Sequence, residues 1–138
     1  MRKLTIRPRL GDASLKLIEN IINTTFDDFF SAFLKKNAGL SHFECIYIDK
    51  LKVEWQVQSY NDFKDLYGLT KEFLEKHNRK LVPFAYDPGG WHFCLSFDKD
   101  TYGKIIINRW TDHLPEDQFL VIADSFEEFI NGLKRGDE

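Results

Sequence analysis

The sequence predicts an α+β fold: an antiparallel β-sheet with flanking helices packed on one side. Three observations carry that expectation. Apolar residues switch between helical and alternating spacing in the order helices, strands, helix, strands, helix. The connections between strands are short and turn-rich, as in hairpins, which favours an antiparallel sheet. The 138 residues include 13 Phe, 5 Tyr and 3 Trp, enough large rings to fill a sizeable core.

Leu15, Ile18 and Ile22 recur at helical spacing after Asp12, a candidate N-cap. Thr24 or Thr25 can cap a second helix, in which Phe26, Phe29, Phe30, Phe33 and Leu34 form one apolar stripe. Lys35 and Lys36 suit its C-terminal dipole, and Asn37 with Gly39 can supply a left-handed stop. Phe43 to Ile48 and Leu51 to Val57 read as strands joined at Asp49-Lys50, a pair less suited to a tight hairpin than Asp-Gly. Asn61 to His77 reads as helix, with Phe63, Leu66, Tyr67, Phe73 and Leu74 on one side. Gly68 is a candidate break there, and Thr70 a candidate cap for a second piece.

Leu81 to Tyr86 follows as a strand that Pro83 confines to an edge or to its own first residues. Asp87-Pro88-Gly89-Gly90 is a turn: proline presets the second position, and glycine permits positive φ at the third. In the next strand Trp91, Phe93, Leu95 and Phe97 face one way, and His92, Cys94 and Ser96 the other. Asp98 to Gly103 turns the chain again, Lys104 to Trp110 is a β-branched strand, and Phe119 to Ile122 adds a short one. In the closing helix Asp124 is the expected N-cap, with Glu127 three residues on. Phe126, Phe129, Ile130 and Leu133 make its stripe, and Lys134, Arg135 and Gly136 end it. No repeat, low-complexity tract or linker interrupts the chain, so residues 1–138 are expected to form one domain.

Composition excludes several classes. With 43% hydrophobic and 30% charged residues, the chain is unlike a disordered protein. A net charge of −3 argues against a generally basic nucleic-acid binder, and the aromatics sit at core spacing instead of forming a stacking ladder. The longest apolar run, Phe119 to Ala123, falls far short of the ~20 residues that span a bilayer. Arg7 and Arg9 interrupt any apolar stretch after the basic start, so the expected location is cytoplasmic. Cys45 and Cys94 are too few for a disulfide framework and lie in apolar runs.

His42, His77, His92, His113, Cys45 and Cys94 are the possible metal ligands, but no pair has HxxxH or HExxH spacing. His92 and Cys94 share a strand face, where a packed surface beneath a helix is the competing explanation. Residues two apart on a strand are ~6.5–7 Å apart, too far for a direct thiol–imidazole couple. Neither Ser96 nor Ser125 stands in a GxSxG elbow. Gly89 and Gly90 lack both the lysine of a phosphate loop and dinucleotide-site spacing. Glu127 and Glu128 point to different parts of a helix surface and suit its N-terminal dipole. The expectation is a non-enzymatic binding module with no metal or cofactor.

A partner surface has two candidate parts. Asp87, Gly89 and Gly90 form a turn that belongs at the surface. Trp110 stands at a strand end, and Asp112, Glu116 and Asp117 could steer a basic partner towards it. The competing explanation is that Trp110 caps the core and the turn only reverses the chain.

Pro83-Phe84-Ala85, Asp87, Gly89-Gly90 and Phe93-Cys94-Leu95 form a pattern with the Asp98–Gly103 turn, Lys104-Ile105 and the run from Ile122 to Ile130. That pattern resembles the SUKH superfamily, which groups fungal cell-wall (glucan) synthesis regulators with bacterial immunity proteins. Upstream, the helix from Phe26 ends at Asn37-Ala38-Gly39, one glycine short of the family's Asn-Gly-Gly element. The resemblance runs from about Leu17 to Leu133, with its specific motifs in Leu81 to Leu133. It implies a SUKH-like α+β fold and no catalytic set. It also implies a protein partner: a toxin, often a nuclease, for bacterial members, and cell-wall assembly for fungal ones. A compact chain without long disordered arms looks like the bacterial kind.

Overall fold

The computed structural model describes residues 10–109 and 118–135. Helices α1 (Asp12–Ile22) and α2 (Asp28–Asn37) come first. They are followed by strands β1 (Glu44–Ile48), β2 (Glu54–Gln56) and β3 (Ser59–Tyr60). Helix α3 (Phe63–His77) leads to β4 (Leu81–Tyr86) and β5 (His92–Ser96). A 3-10 turn, Lys99–Thr101, precedes β6 (Ile105–Asn108). Strand β7 (Phe119–Ala123), helix α4 (Phe126–Asn131) and strand β8 (Lys134–Arg135) complete the order. The strands form two antiparallel sheets, ordered β2-β1-β8 and β3-β4-β5-β6-β7. The α+β expectation holds, with two sheets in place of one.

The caps differ from the sequence reading, each for a local reason. Gly11 caps α1 without a side-chain bond, and Asp12 is the first helical residue, its carboxylate paired with Lys35 of α2. Asp27, not Thr24 or Thr25, caps α2, because its Oδ1 accepts the Phe30 N–H at 2.8 Å. Thr24 Oγ1 donates instead to the Ile22 carbonyl, and the Phe26 N–H is held by Glu19 Oε2 at 2.6 Å ahead of the helix. The left-handed stop after α2 falls on Gly39 (φ 81°), while Asn37 stays helical and donates its amide to the Phe33 carbonyl.

Helix α3 runs unbroken through Gly68, and Thr70 is a buried interior residue rather than a cap. Ser125 caps α4 by accepting the Glu128 N–H at 3.0 Å, while Glu128 Oε2 accepts the Asp124 N–H at 3.2 Å. The capping box is therefore one residue later than Asp124 and Glu127, and Asp124 is free to pair with Lys50 and Lys104. The helix ends at Asn131, and Lys134–Arg135 leave it to pair with β1.

Pro83 lies in the second strand of a five-stranded sheet, not in an edge strand. It is tolerated because the two-residue β3 pairs only with Ala85 and Tyr86, and a bulge falls between Pro83 and Ala85 on the β5 side.

The alternation in β5 is borne out and divides the core. Phe93, Leu95 and Phe97 are buried in the main cluster, with Trp91 partly buried against it. On the opposite face Cys94 packs with Ile106, Leu81 and Phe73 of α3. Helices therefore cover both faces, and the expected one-sided packing is corrected by α3. On the main face the rings interlock edge to face. Phe126 lies 4.8 Å from Phe30 and 5.0 Å from Phe84, each at nearly a right angle. Phe129 lies 5.4 Å from Phe93 of β5, 5.7 Å from Phe84 of β4 and 4.7 Å from Tyr47 of β1. That one ring joins the two sheets. Just beyond, Gly132 permits the close approach, since a Cβ there would meet Tyr47 at 3.0 Å.

The β1–β2 connection is organised by a single carboxylate. Asp49 accepts the N–H groups of Leu51 and Val53 with Oδ1, at 2.8 and 3.0 Å, and the buried Trp55 indole with Oδ2 at 2.9 Å. Burial pushes its pKa up, but the Trp55 and two backbone hydrogen bonds together outweigh it, and the carboxyl sits below its ordinary value.

Phe129→Ala is expected to cost roughly 3–5 kcal/mol in urea denaturation. A loss under ~1 kcal/mol would show that α4 is not docked through this ring. Asp49→Asn is expected to cost about 1–3 kcal/mol at neutral pH. Because the folded pKa is depressed, the carboxylate's contribution is full above the ordinary carboxylate range and is lost as pH falls through the folded value. The gap between wild type and Asp49→Asn should therefore close below about pH 4. A gap that stays constant down to acid pH would refute the charge-based account.

Candidate functional site

Two surfaces, at opposite ends of β5, are candidates for a contact site. The first is the end at which β4 turns into β5. Asp87 accepts the N–H groups of Gly89 and Trp91 with Oδ1, at 2.9 and 2.8 Å, and its carbonyl accepts the Gly90 N–H at 3.0 Å. Gly90 takes the left-handed conformation (φ 92°) while Gly89 does not, so positive φ falls one residue later than the sequence reading placed it. The result is a three-residue loop closed by a left-handed glycine, and it leaves Pro88, Gly89 and Gly90 exposed.

Beside this turn His92 Nδ1 meets the Asn61 amide at 3.1 Å, and that amide also donates to the Pro83 carbonyl at 2.7 Å. Burial lowers the pKa of His92 against the opposing pull of Asp65 and Asp87, which favours the neutral ring. His92 is paired with Asn108 across β5–β6, and the Arg109 N–H donates to the Gln118 carbonyl at 2.7 Å. Asp87, Gly89 and Gly90 thus share one sheet end with Arg109 and Gln118. Trp110, Asp112, Glu116 and Asp117 lie outside the described residues, as does His113.

The other candidate side chains are engaged in structure. The Cys94 thiol is buried, lies 3.8 Å from the His92 carbonyl, and has its pKa pushed up by burial. Cys45 is half-buried against the main core. His42 Nε2 meets Asn37 Oδ1 at 2.7 Å, and His77 stacks edge-on against Phe119. Ser96 and Thr101 share a 2.7 Å hydrogen bond, and Ser125 caps α4.

The second surface is a groove of about 470 Å³ at the far end of β5. It is walled by Thr25, Phe26, Asp27, Phe29 and Phe30 at the start of α2, by Leu95 and Phe97, by Tyr102 and Gly103, and by residues 125–127 opening α4. Its floor is aromatic, and Phe29 and Tyr102 remain 40% and 61% exposed. The sequence reading missed this groove because its four walls are far apart in the chain. The available local signal was Tyr102, a large ring inside an otherwise polar turn.

Residues 12–130 match the SUKH_6 family model, described as SMI1-KNR4 cell-wall. The chain is also similar to the SPbeta prophage-derived uncharacterized protein YokK of Bacillus subtilis (strain 168), at 33% identity over 75 residues. Those residues are 53% of this chain and 36% of YokK, so the match spans about a third of that protein's length.

Proposed function

We propose that the chain, which belongs to the SMI1-KNR4 cell-wall family of the SUKH superfamily, is a non-catalytic protein-binding domain that serves as an immunity protein. In this reading it neutralises a polymorphic toxin by stoichiometric binding. The family match over residues 12–130 is the observation that carries it. Charge supports a toxin of the nuclease class: a nuclease needs basic surface to hold phosphates, and this chain has a net charge of −3. Complementary charge speeds such encounters. The protein acts as one domain in the cytoplasm, with no nucleic acid, cofactor or metal. Among the described residues no helix is long and apolar enough to cross a membrane.

The contact surface in this reading comprises Asp87, Gly89 and Gly90 with Trp110, Asp112, Glu116 and Asp117. The shared sheet end of the turn, Arg109 and Gln118 supports that grouping. A second reading, a regulator or scaffold of cell-wall or glucan synthesis, is favoured by the family's cell-wall description.

Co-expression with a large secreted toxin encoded beside this gene tests the first reading. An equimolar complex and loss of toxicity are expected. Recovery of envelope-synthesis enzymes alone would overturn it in favour of the second. Once a partner is in hand, reversing charge at Asp112, Glu116 and Asp117 to lysine should slow association at low salt by roughly tenfold. An unchanged rate would remove this segment from the interface.

A further inference from the structure

We infer that the aromatic groove between the starts of α2 and α4 is an arginine-binding site, taking a guanidinium side chain from a basic loop of the protein partner. The inference rests on the protein-binding reading above and adds to it the place and chemistry of one contact. Phe26 and Phe97 form the floor, 5.4 Å apart, and are almost fully buried. Tyr102 stands 5.7 Å from Phe97 at a right angle, and Phe29 closes the opposite side. Two of these rings remain substantially in solvent, where nothing among the described residues covers them.

The charge of the rim selects the occupant. Asp27 and Glu127 line the groove, and among the described residues no lysine, arginine or histidine does. Asp27 spends Oδ1 on the Phe30 N–H, and Oδ2 has no partner among the described residues. Glu127 is exposed and makes no hydrogen bond or ion pair among them. Lys104, next to the lining residue Gly103, is directed to Asp124 at 3.8 Å. An anion is disfavoured even though two helices begin here, because the chain's own Asp27 and Ser125 already cap them.

An apolar floor with open carboxylate oxygens at its edge suits a side chain with an apolar stem and a flat cationic head. Arginine meets both requirements. Its stem packs on rings, its guanidinium stacks on aromatic faces, and its paired N–H groups fit a carboxylate. A groove of about 470 Å³ also falls in the size range of sites that enclose small groups.

The test uses the full chain labelled with nitrogen-15 and three blocked pentapeptides that differ at their central residue: arginine, its uncharged isostere citrulline, or norleucine. Titration with the arginine peptide is expected to give saturable amide shifts confined to Thr25–Phe30, Tyr102–Gly103 and Ser125–Glu127. The combined Asp27→Asn and Glu127→Gln variant should weaken binding about fivefold or more. Asparagine caps a helix as well as aspartate does, so this variant keeps its fold, and exposed Glu127→Gln alone provides a second check. Tyr102→Ala should weaken binding and Tyr102→Phe preserve it.

Equal shifts from the citrulline peptide, tighter binding of norleucine, or shifts spread over the acidic surface would each overturn the inference. So would unchanged affinity in the double variant. None of these readouts needs the natural partner. A partner that binds the double variant at full affinity would sink the groove while leaving the protein-binding reading intact.

Discussion

The edge-to-face junction of Phe30, Phe84 and Phe126 is where α2, β4 and α4 meet, and the remaining architecture is arranged around it. A helix of six residues such as α4 has too few internal hydrogen bonds to persist alone. It is held by the Ser125–Glu128 box at its start and by two buried rings, Phe126 and Phe129. Phe129 then reaches Tyr47, so the three-stranded sheet is fixed to the five-stranded one through the same helix. Both ends of β5 gain defined positions from this packing. The groove depends on it directly, because Phe126 forms one of its walls.

Local chemistry was legible where it was self-contained. The alternation from Trp91 to Phe97, the Asp87–Gly90 turn and the stripe of Phe126 and Phe129 each depend on neighbours in sequence, and each is present in the structure. Errors arose where a distant group intervened. Asp124 reads as a cap, but Lys50, far away in sequence, takes its carboxylate and the cap shifts to Ser125. Gly68 reads as a break, yet α3 packs on both α1 and β4, and that packing outweighs the roughly 1 kcal/mol that glycine costs a helix. Strand β8 is two charged residues long, and no pattern in Lys134-Arg135 announces its pairing with β1.

The same division holds for the sites. The exposed turn was legible because Asp, Pro and Gly encode it within four residues. The groove was not, because Asp27, Phe97, Tyr102 and Glu127 meet only after two helices and a strand end have been brought together. Each of these residues has an ordinary explanation when taken singly: a cap, a strand residue, a turn residue, a helix-start acid.

Charge in this protein acts at two ranges, and net charge describes only one of them. At long range the formal −3 sets the field that a partner meets. At contact range what matters is which carboxylates retain unoccupied oxygens. Asp12, Asp98 and Asp124 are matched by Lys35, Arg79 and Lys50, and Glu72 by Lys76. Asp49 and Asp87 are turned inward to backbone N–H groups of their own loops and serve as local scaffolding. Asp27 and Glu127 differ, since one oxygen of the first and both of the second remain open beside exposed rings. A basic partner drawn in by the whole surface would find open acids at several places, since Asp28, Glu44, Glu54, Asp65, Glu75 and Asp100 are also exposed and make no side-chain hydrogen bond or ion pair among the described residues. The groove is one of them, and apolar rings beside its acids lower the local dielectric, so a charge-assisted contact there is stronger than the same contact on an open face.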